Sequence, residues 1–224
     1  MSAYGIDVSY AQGAIDWGLV AGDKDFAIIR AGYGANNIDA RAAYNASECN
    51  SLDFPIGLYW FSYAYSVQMA QDEGIYAAQF AADYQLDYPI YWDFEYDSVS
   101  YAQQHGVTIT QQLFHDMADA FCTEIENAGF SSGLYYNPDF DRTYNIASFF
   151  AQHPNRSMWV AKWSTTPPDI YNVWQYGLGN AGTVPGISAD IDLDVIGDSP
   201  IPPTPPSPTP TSNKMPIWFY LRPY

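Results

Sequence analysis

The residues best placed to do chemistry are Asp93 and Glu95, in the run Tyr91-Trp92-Asp93-Phe94-Glu95-Tyr96. On an extended strand, residues i and i+2 share one face with Cα atoms about 6–7 Å apart, so both carboxyls enter the same space. At about 6.5 Å and an effective dielectric of ~20 their repulsion is of order 2–3 kcal/mol, or about two pKa units. That keeps one protonated while the other is charged. An acid beside an anion is what cleavage of a glycosidic bond requires. An isolated D-x-E pair is usually two solvated loop acids. Here it ends an apolar strand, and barrel folds keep their active residues at that end.

Two further acids are expected in the same cavity. Asp7 ends the first apolar run, Gly5-Ile6-Asp7-Val8-Ser9, and Asp192 lies in the last, Asp190-Ile191-Asp192-Leu193-Asp194. Closing a barrel makes its first and last strands neighbours, which brings residues far apart in the chain to one rim. The alternating aspartates also invite a calcium-loop reading. Val195 stands where the turn-forming glycine should be, and no glutamate follows at the twelfth position.

The elements that must position these acids are short apolar runs bounded by Gly, Pro or polar residues. Eight strands are expected: Tyr4–Val8, Phe26–Ala31, Ile56–Ser62, Ile90–Phe94, Gly133–Tyr136, Met158–Trp163, Val173–Tyr176 and Ile191–Ile196. Several are apolar almost throughout, as in strands of a parallel sheet covered on both faces. Helical periodicity runs over Ala40–Asn50, Val67–Tyr84, Ile109–Ala128 and Tyr144–Ala151. In the third, Leu113, Met117, Phe121 and Ile125 repeat every four residues, Thr108 with Gln111 fits a capping box, and Gly129 follows as a C-cap. Only Ser164–Asn172 separate the sixth strand from the seventh. A parallel crossover needs about a dozen residues, so that pair is expected to be antiparallel. The fold class is therefore α/β: an irregular β/α barrel with early βα units and a β-rich closing half.

Composition narrows the partners. The 224 residues carry 25 acidic against 8 basic side chains, a net charge of −17 that repels nucleic-acid phosphates and anionic membrane surfaces. No apolar run approaches the ~20 residues of a membrane helix. The start of the chain lacks the basic flank and apolar stretch of a secretory signal. His105, His115 and His153 have no second ligand at i+4, and Cys49 and Cys122 lack metal-ligand spacing, so they read as two buried thiols with no metal or cofactor expected. Aromatics are abundant, with 20 Tyr, 12 Phe and 7 Trp. Such rings fill cores and also suit the faces of sugars. Tyr63, Tyr96, Tyr136, Trp163 and Trp174, near strand ends, are the candidate sugar platforms.

The chain resembles the lysozymes of glycoside hydrolase family 25, which hydrolyse the bond between N-acetylmuramic acid and N-acetylglucosamine. The likeness rests on Gly5-Ile6-Asp7-Val8-Ser9, Phe26-Ala27-Ile28-Ile29-Arg30-Ala31, Gly57-Leu58-Tyr59-Trp60, Trp92-Asp93-Phe94-Glu95, Gly133-Leu134-Tyr135-Tyr136, Trp159-Val160-Ala161-Lys162-Trp163, Trp174-Gln175-Tyr176 and Ile191-Asp192-Leu193-Asp194. They run in family order through residues 4–196. The resemblance implies that Glu95 protonates the leaving oxygen, that Asp93 stabilises charge developing at the sugar, and that Asp7 and Asp192 shape the site. Arg30 and Lys162, within the matched segments, join the substrate-binding set. The family often has Asn where this chain has Asp194. The implied partner is the glycan strand of peptidoglycan, met at the bacterial wall outside the cell or after release from a host cytoplasm. A chitinase-like hydrolase and a non-catalytic glycan-binding barrel are the alternatives.

The catalytic domain is expected to span residues 1–198. Residues 199–213 form a Pro-rich, polyproline-like spacer. Residues 214–224 are too few for a domain and too apolar for an ordinary solvated tail, and are expected to serve docking or self-association.

Overall fold

The computed structural model describes residues 2–197; the Pro-rich spacer and the apolar tail expected from the sequence lie outside them. In chain order the strands are β1 (Ala3–Val8), β2 (Phe26–Tyr33), β3 (Asn37–Ile38), β4 (Ile56–Phe61), β5 (Ile90–Asp93), β6 (Ser132–Tyr136), β7 (Ser157–Ala161), β8 (Val173–Gly179) and β9 (Ile191–Ile196). The helices are α1 (Trp17–Val20), α2 (Ala42–Ser51), α3 (Val67–Ala81), α4 (Tyr96–Gln104), α5 (Gln111–Asn127), α6 (Pro138–Tyr144) and α7 (Ile146–Gln152). The sheet runs β1-β9-β8-β7-β6-β5-β4-β2-β3, and β1 also pairs with β2. That last pairing closes an eight-stranded barrel and leaves β3 as a short antiparallel flap on β2.

Strand parity sorts the side chains into two layers. Phe26, Ile28, Tyr59, Tyr91, Trp159 and Val173 point inward and fill the barrel. Their chain neighbours, among them Ile29, Leu58, Trp60, Trp92 and Val160, point outward into the larger core under the helices. Each such buried side chain contributes roughly 1.5–3 kcal/mol. Both cysteines are buried free thiols.

Helix ends follow the local sequence with one correction. The fifth helix is capped by Thr110, whose hydroxyl accepts from Leu113 N at 3.2 Å, and not by Thr108. Ile109 is buried, so the chain turns into the helix only after that side chain has entered the core. At the other end Gly129 takes φ 88°, with its N–H on Glu126 O and that of Phe130 on Ile125 O, a Schellman stop. The helical stretch expected from Tyr144 is two helices. Asn145, at φ 50°, ends α6 and starts α7. Helices α1 and α4 and strand β3 were not expected from periodicity.

The closing half carries the main topological correction. β7 and β8 are parallel, with Trp159 opposite Val173, where the sequence spacing argues for an antiparallel pair. β7 ends at Ala161, two residues earlier than expected, and residues 162–172 cross over without a helix. Trp174 Nε1 donates to Lys162 O at 2.7 Å and Lys162 Nζ to Pro167 O at 3.1 Å, which holds the crossover against the barrel wall. β9 is the reversed strand, antiparallel to both β8 and β1. The missing helices are thus a property of the β7–β8 and β8–β9 connections.

Close packing inside the barrel makes a test. A Cβ on Gly133 of β6 would lie 2.5 Å from Ser157 O and 2.7 Å from the Tyr91 ring. Gly133→Ala is expected to destabilise by about 1–3 kcal/mol, read as a lower denaturant midpoint at unchanged slope. An unchanged midpoint would show that the interior is looser than described.

Candidate active site

The inward positions at the C-terminal ends of the parallel strands form a cleft of about 190 Å³. Asp7 of β1, Arg30 of β2, Tyr59 and Phe61 of β4, Asp93 of β5 with Glu95 just beyond it, Tyr135 of β6, Trp159 of β7, Gln175 of β8 and Asp192 of β9 line it. Each barrel strand supplies at least one group, because each has one parity facing inward. Register accounts for the meetings. Phe61 lies opposite Asp93, Asp93 opposite Tyr135, and Asp7 opposite Asp192.

β5 ends at Asp93, and the backbone stays extended through Glu95 (φ −122°, ψ −170°), which is the N-cap of α4. The i, i+2 rule therefore holds beyond the strand itself, and both carboxyls line the cleft. They are near enough for each to shift the other's ionisation. Two buried carboxyls this close resist ionising together, which favours keeping one proton on the pair. Burial pushes the Asp93 carboxyl well above the usual range, the Glu95 charge adds to this, and Arg30 opposes it. Burial is also the main cause that raises Glu95, with Asp97 and Asp192 adding charge. Asp192 is raised by burial to about 6.

Arg30 is held for its task. Its Nε donates to Asp39 Oδ2 at 2.8 Å, and Asp39 also accepts the N–H of Tyr10 and of Arg41. The guanidinium therefore stands in the cleft wall as a fixed cation, with Tyr10 and Tyr33 rings 5.0 and 5.6 Å away. On the opposite wall Gln175 Nε2 donates to Asp7 Oδ2 at 2.8 Å, and Gln175 Oε1 accepts from Tyr135 Oη and Trp163 Nε1.

Of the expected site residues, Asp7, Arg30, Asp93, Glu95 and Asp192 come together. Trp163, 60% exposed, stands at the rim and is tied to the cleft through Gln175. Tyr63 packs on Phe61, whose side chain lines the cleft, at 5.2 Å. Tyr96 is exposed beside Glu95, with its hydroxyl on Asp139. Three residues are not brought in. Tyr136 is buried under the helices against Phe150, and its chain neighbour Tyr135 takes the place on the cleft. Trp174 faces outward among Tyr171 and Tyr176. Lys162 is occupied by Pro167 O.

One residue missed in the sequence is Glu73 of α3, 2% exposed. It accepts from Ser62 Oγ at 2.6 Å, Tyr63 N at 2.9 Å and Trp92 Nε1 at 3.4 Å. Ser62 N donates to Asp93 O at 2.7 Å, Ser62 O accepts from Ser98 Oγ, and Glu95 N donates to Ser98 Oγ. Glu73 thus anchors the turn that fixes the backbones of both cleft acids. A carboxylate among the small apolar residues of α3 was the available signal.

An acid beside an anion at the C-terminal mouth of a β/α barrel is the working pair of a glycoside hydrolase. The chain belongs to Glycosyl hydrolases family 25, whose profile matches residues 6–187. It is 27% identical over 210 residues to Lysozyme M1 of Streptomyces globisporus, covering 87% of this chain and 68% of that protein. The fold is shared with the modular autolysin LytC of Streptococcus pneumoniae, solved with a synthetic peptidoglycan ligand (23% identity, TM-score 0.72). That match covers 87% of this chain but spans 46% of the LytC chain. The bacterial lysozyme of Streptomyces coelicolor shares it too, at 22% identity and TM-score 0.69, covering 88% of this chain and 93% of that one. No helix among the described residues is long and apolar enough to cross a membrane.

Glu73 provides a pH test. Burial lifts its carboxyl from 4.5 to about 7 against the hydrogen bonds that favour the anion. The folded value is the higher, so the stability is complete below about pH 4.5 and is lost as pH rises through about 7, by up to about 3 kcal/mol. Glu73→Gln is expected to flatten the fall of Tm between pH 5 and 8. Parallel wild-type and variant curves would assign that fall to other groups.

Proposed function

We propose that this protein is a muramidase that cleaves the β-1,4 bond between N-acetylmuramic acid and N-acetylglucosamine in peptidoglycan. The observation that carries the reading is the Asp93–Glu95 pair lining the barrel mouth of a family 25 chain. The relatives' names support the substrate, a lysozyme and a peptidoglycan-bound autolysin among them.

Glu95, the less buried of the two, delivers the shared proton to the leaving oxygen as the C1–O bond breaks. Asp93, deeper and facing Arg30, takes up negative charge as positive charge develops at C1. Two carboxyls on one strand face, two residues apart, stand on the same side of a bound ring and do not flank it. Inverting hydrolysis needs carboxyls about 6.5–9.5 Å apart and double displacement about 5–5.5 Å. That placement favours attack on C1 by the oxygen of the substrate's own N-acetyl group, on the face opposite the leaving oxygen. Asp93 then stabilises the resulting cation, and in a second step water attacks C1 and gives its proton to the Glu95 carboxylate, which restores the acid and frees the N-acetyl group. Asp7 and Asp192 shape the far wall, and Trp163, Tyr63 and Tyr96 are platforms for sugars beyond the cleaved bond. The protein acts at the bacterial wall, reached from outside the cell or after release from a host cytoplasm. The segment 214–224 serves docking to the wall or to another copy.

Glu95→Gln keeps the shape of the side chain but has no acidic proton, and turnover is expected to fall by roughly 10²–10⁴-fold with glycan binding retained. Asp93→Asn removes the repulsion and places an amide donor on Glu95, which stabilises its anion. Activity should drop, and the basic limb of the kcat profile should move to lower pH. A chain cut after Ser199 should hydrolyse soluble glycan as the full chain does. Near-normal turnover by folded Glu95→Gln would place the acid elsewhere.

A further inference from the structure

One buried carboxyl has no part in the mechanism above. Asp194 sits at an inward position of β9, 0% exposed, opposite Gly5 of β1 and Gln175 of β8. Its Oδ1 accepts from Trp159 Nε1 at 2.8 Å. Its Oδ2 is buried and meets no N–H or O–H donor. The Asp7 carboxyl is near enough to be raised by the Asp194 charge, and a proton held between the two would give that oxygen its missing partner.

The donors and acceptors around this contact can be counted through. Trp159 fills one oxygen of Asp194, and Gln175 Nε2 fills Oδ2 of Asp7. Gln175 Oε1 in turn accepts from Tyr135 Oη at 3.0 Å and Trp163 Nε1 at 3.1 Å. With one proton between the aspartates the chain from Trp159 to Trp163 is satisfied at every link. With none, two buried anions touch. The cation of the cleft, Arg30, is paired to Asp39. Asp192 adds a third negative charge from β9, and the hydroxyls of Tyr59 on β4, Tyr91 on β5 and Tyr176 on β8 also feel these charges.

We propose that Asp194 is a positioning residue: with Asp7 it holds one proton, and that proton fixes the Gln175 amide and, through it, the Trp163 ring that receives the glycan. The inference rests on the reading of the cleft as a glycan site. It differs from the Asp93–Glu95 pair in what it governs, which is binding and not proton delivery. Burial lifts Asp194 to about 7, and burial with the charges of Asp194 and Asp192 lifts Asp7 well above the ordinary range. The folded values exceed the unfolded ones, so the order of this chain is intact at acid pH and is lost as pH rises through about 7.

The wild type is expected to show KM rising above about pH 7, apart from any change in kcat. In Asp194→Asn the amide donates to Asp7 and its oxygen still accepts from Trp159, so no shared proton is needed and KM should stay level across that range. Asp194→Leu breaks the chain at every pH and should raise KM roughly tenfold, as the loss of one buried hydrogen bond does. Infrared spectra without substrate should show one protonated-carboxyl band fewer in Asp194→Asn than in the wild type at pH 6, and this reading stands even if the leucine variant fails to fold. An unchanged band count, or a KM profile in Asp194→Asn that superimposes on the wild type, overturns the proposal. A wild type that releases no glycan fragment at any pH overturns the cleft reading instead, and the infrared count still decides the pair.

Discussion

The cleft gathers more negative charge than its surroundings neutralise, and much of the structure around it serves to hold that charge in place. Asp7, Asp93, Glu95 and Asp192 line one space, Asp194 lies just beneath, and Arg30 is the cation among the lining residues. In a partly buried site such a set cannot ionise completely. Burial and mutual repulsion hold Asp93, Glu95, Asp7 and Asp194 above the ordinary carboxyl range, so protons are retained near neutrality. A proton held at neutral pH is what general acid catalysis needs. The same repulsion that limits stability supplies the reagent.

Holding such a cluster takes rigid backing, and the barrel's two layers provide it. Inside, Tyr91 and Trp159 pack ring to ring at 5.2 Å beneath the acids, and Trp159 also clamps Asp194. Outside, Trp92 stacks on Phe94 and gives its N–H to Glu73. Closure by β9 is equally necessary. Its antiparallel run between β8 and β1 sets Asp192 opposite Asp7 and Asp194 opposite Gln175. A helix-bearing connection is not needed there, since a reversed strand returns through a loop.

The sequence showed some of this clearly. The i, i+2 spacing of Asp93 and Glu95 predicts a shared face, and that face is the cleft. The apolar runs predict eight barrel strands, and barrel closure predicts that Asp7 and Asp192 meet. Other features were hidden for physical reasons. Tyr135-Tyr136 is two identical residues of opposite parity, and only the register with Asp93 shows that the first faces the cleft. Trp174 fails by the same one-residue ambiguity, its neighbour Gln175 being the inward side chain. Loop length misled at β7–β8, because counting residues does not reveal that a helix-free crossover can be stapled by Trp174 and Lys162. Helix α4 has a polar sequence whose order depends on the capping of Glu95 and the bond from Ser98 to Ser62. Glu73 could not be read as an anchor until its donors were in place.

Cleavage of wall glycan on the reducing side of N-acetylmuramic acid leaves that sugar at every new reducing end. Identification of the sugar at each new reducing end, after digestion of purified peptidoglycan by the full chain and chemical reduction of the fragments, tests it most directly. The expected result is N-acetylmuramic acid, recovered as its alcohol, at every new end. N-acetylglucosamine at those ends, or chitin cut in preference to wall, would contradict it.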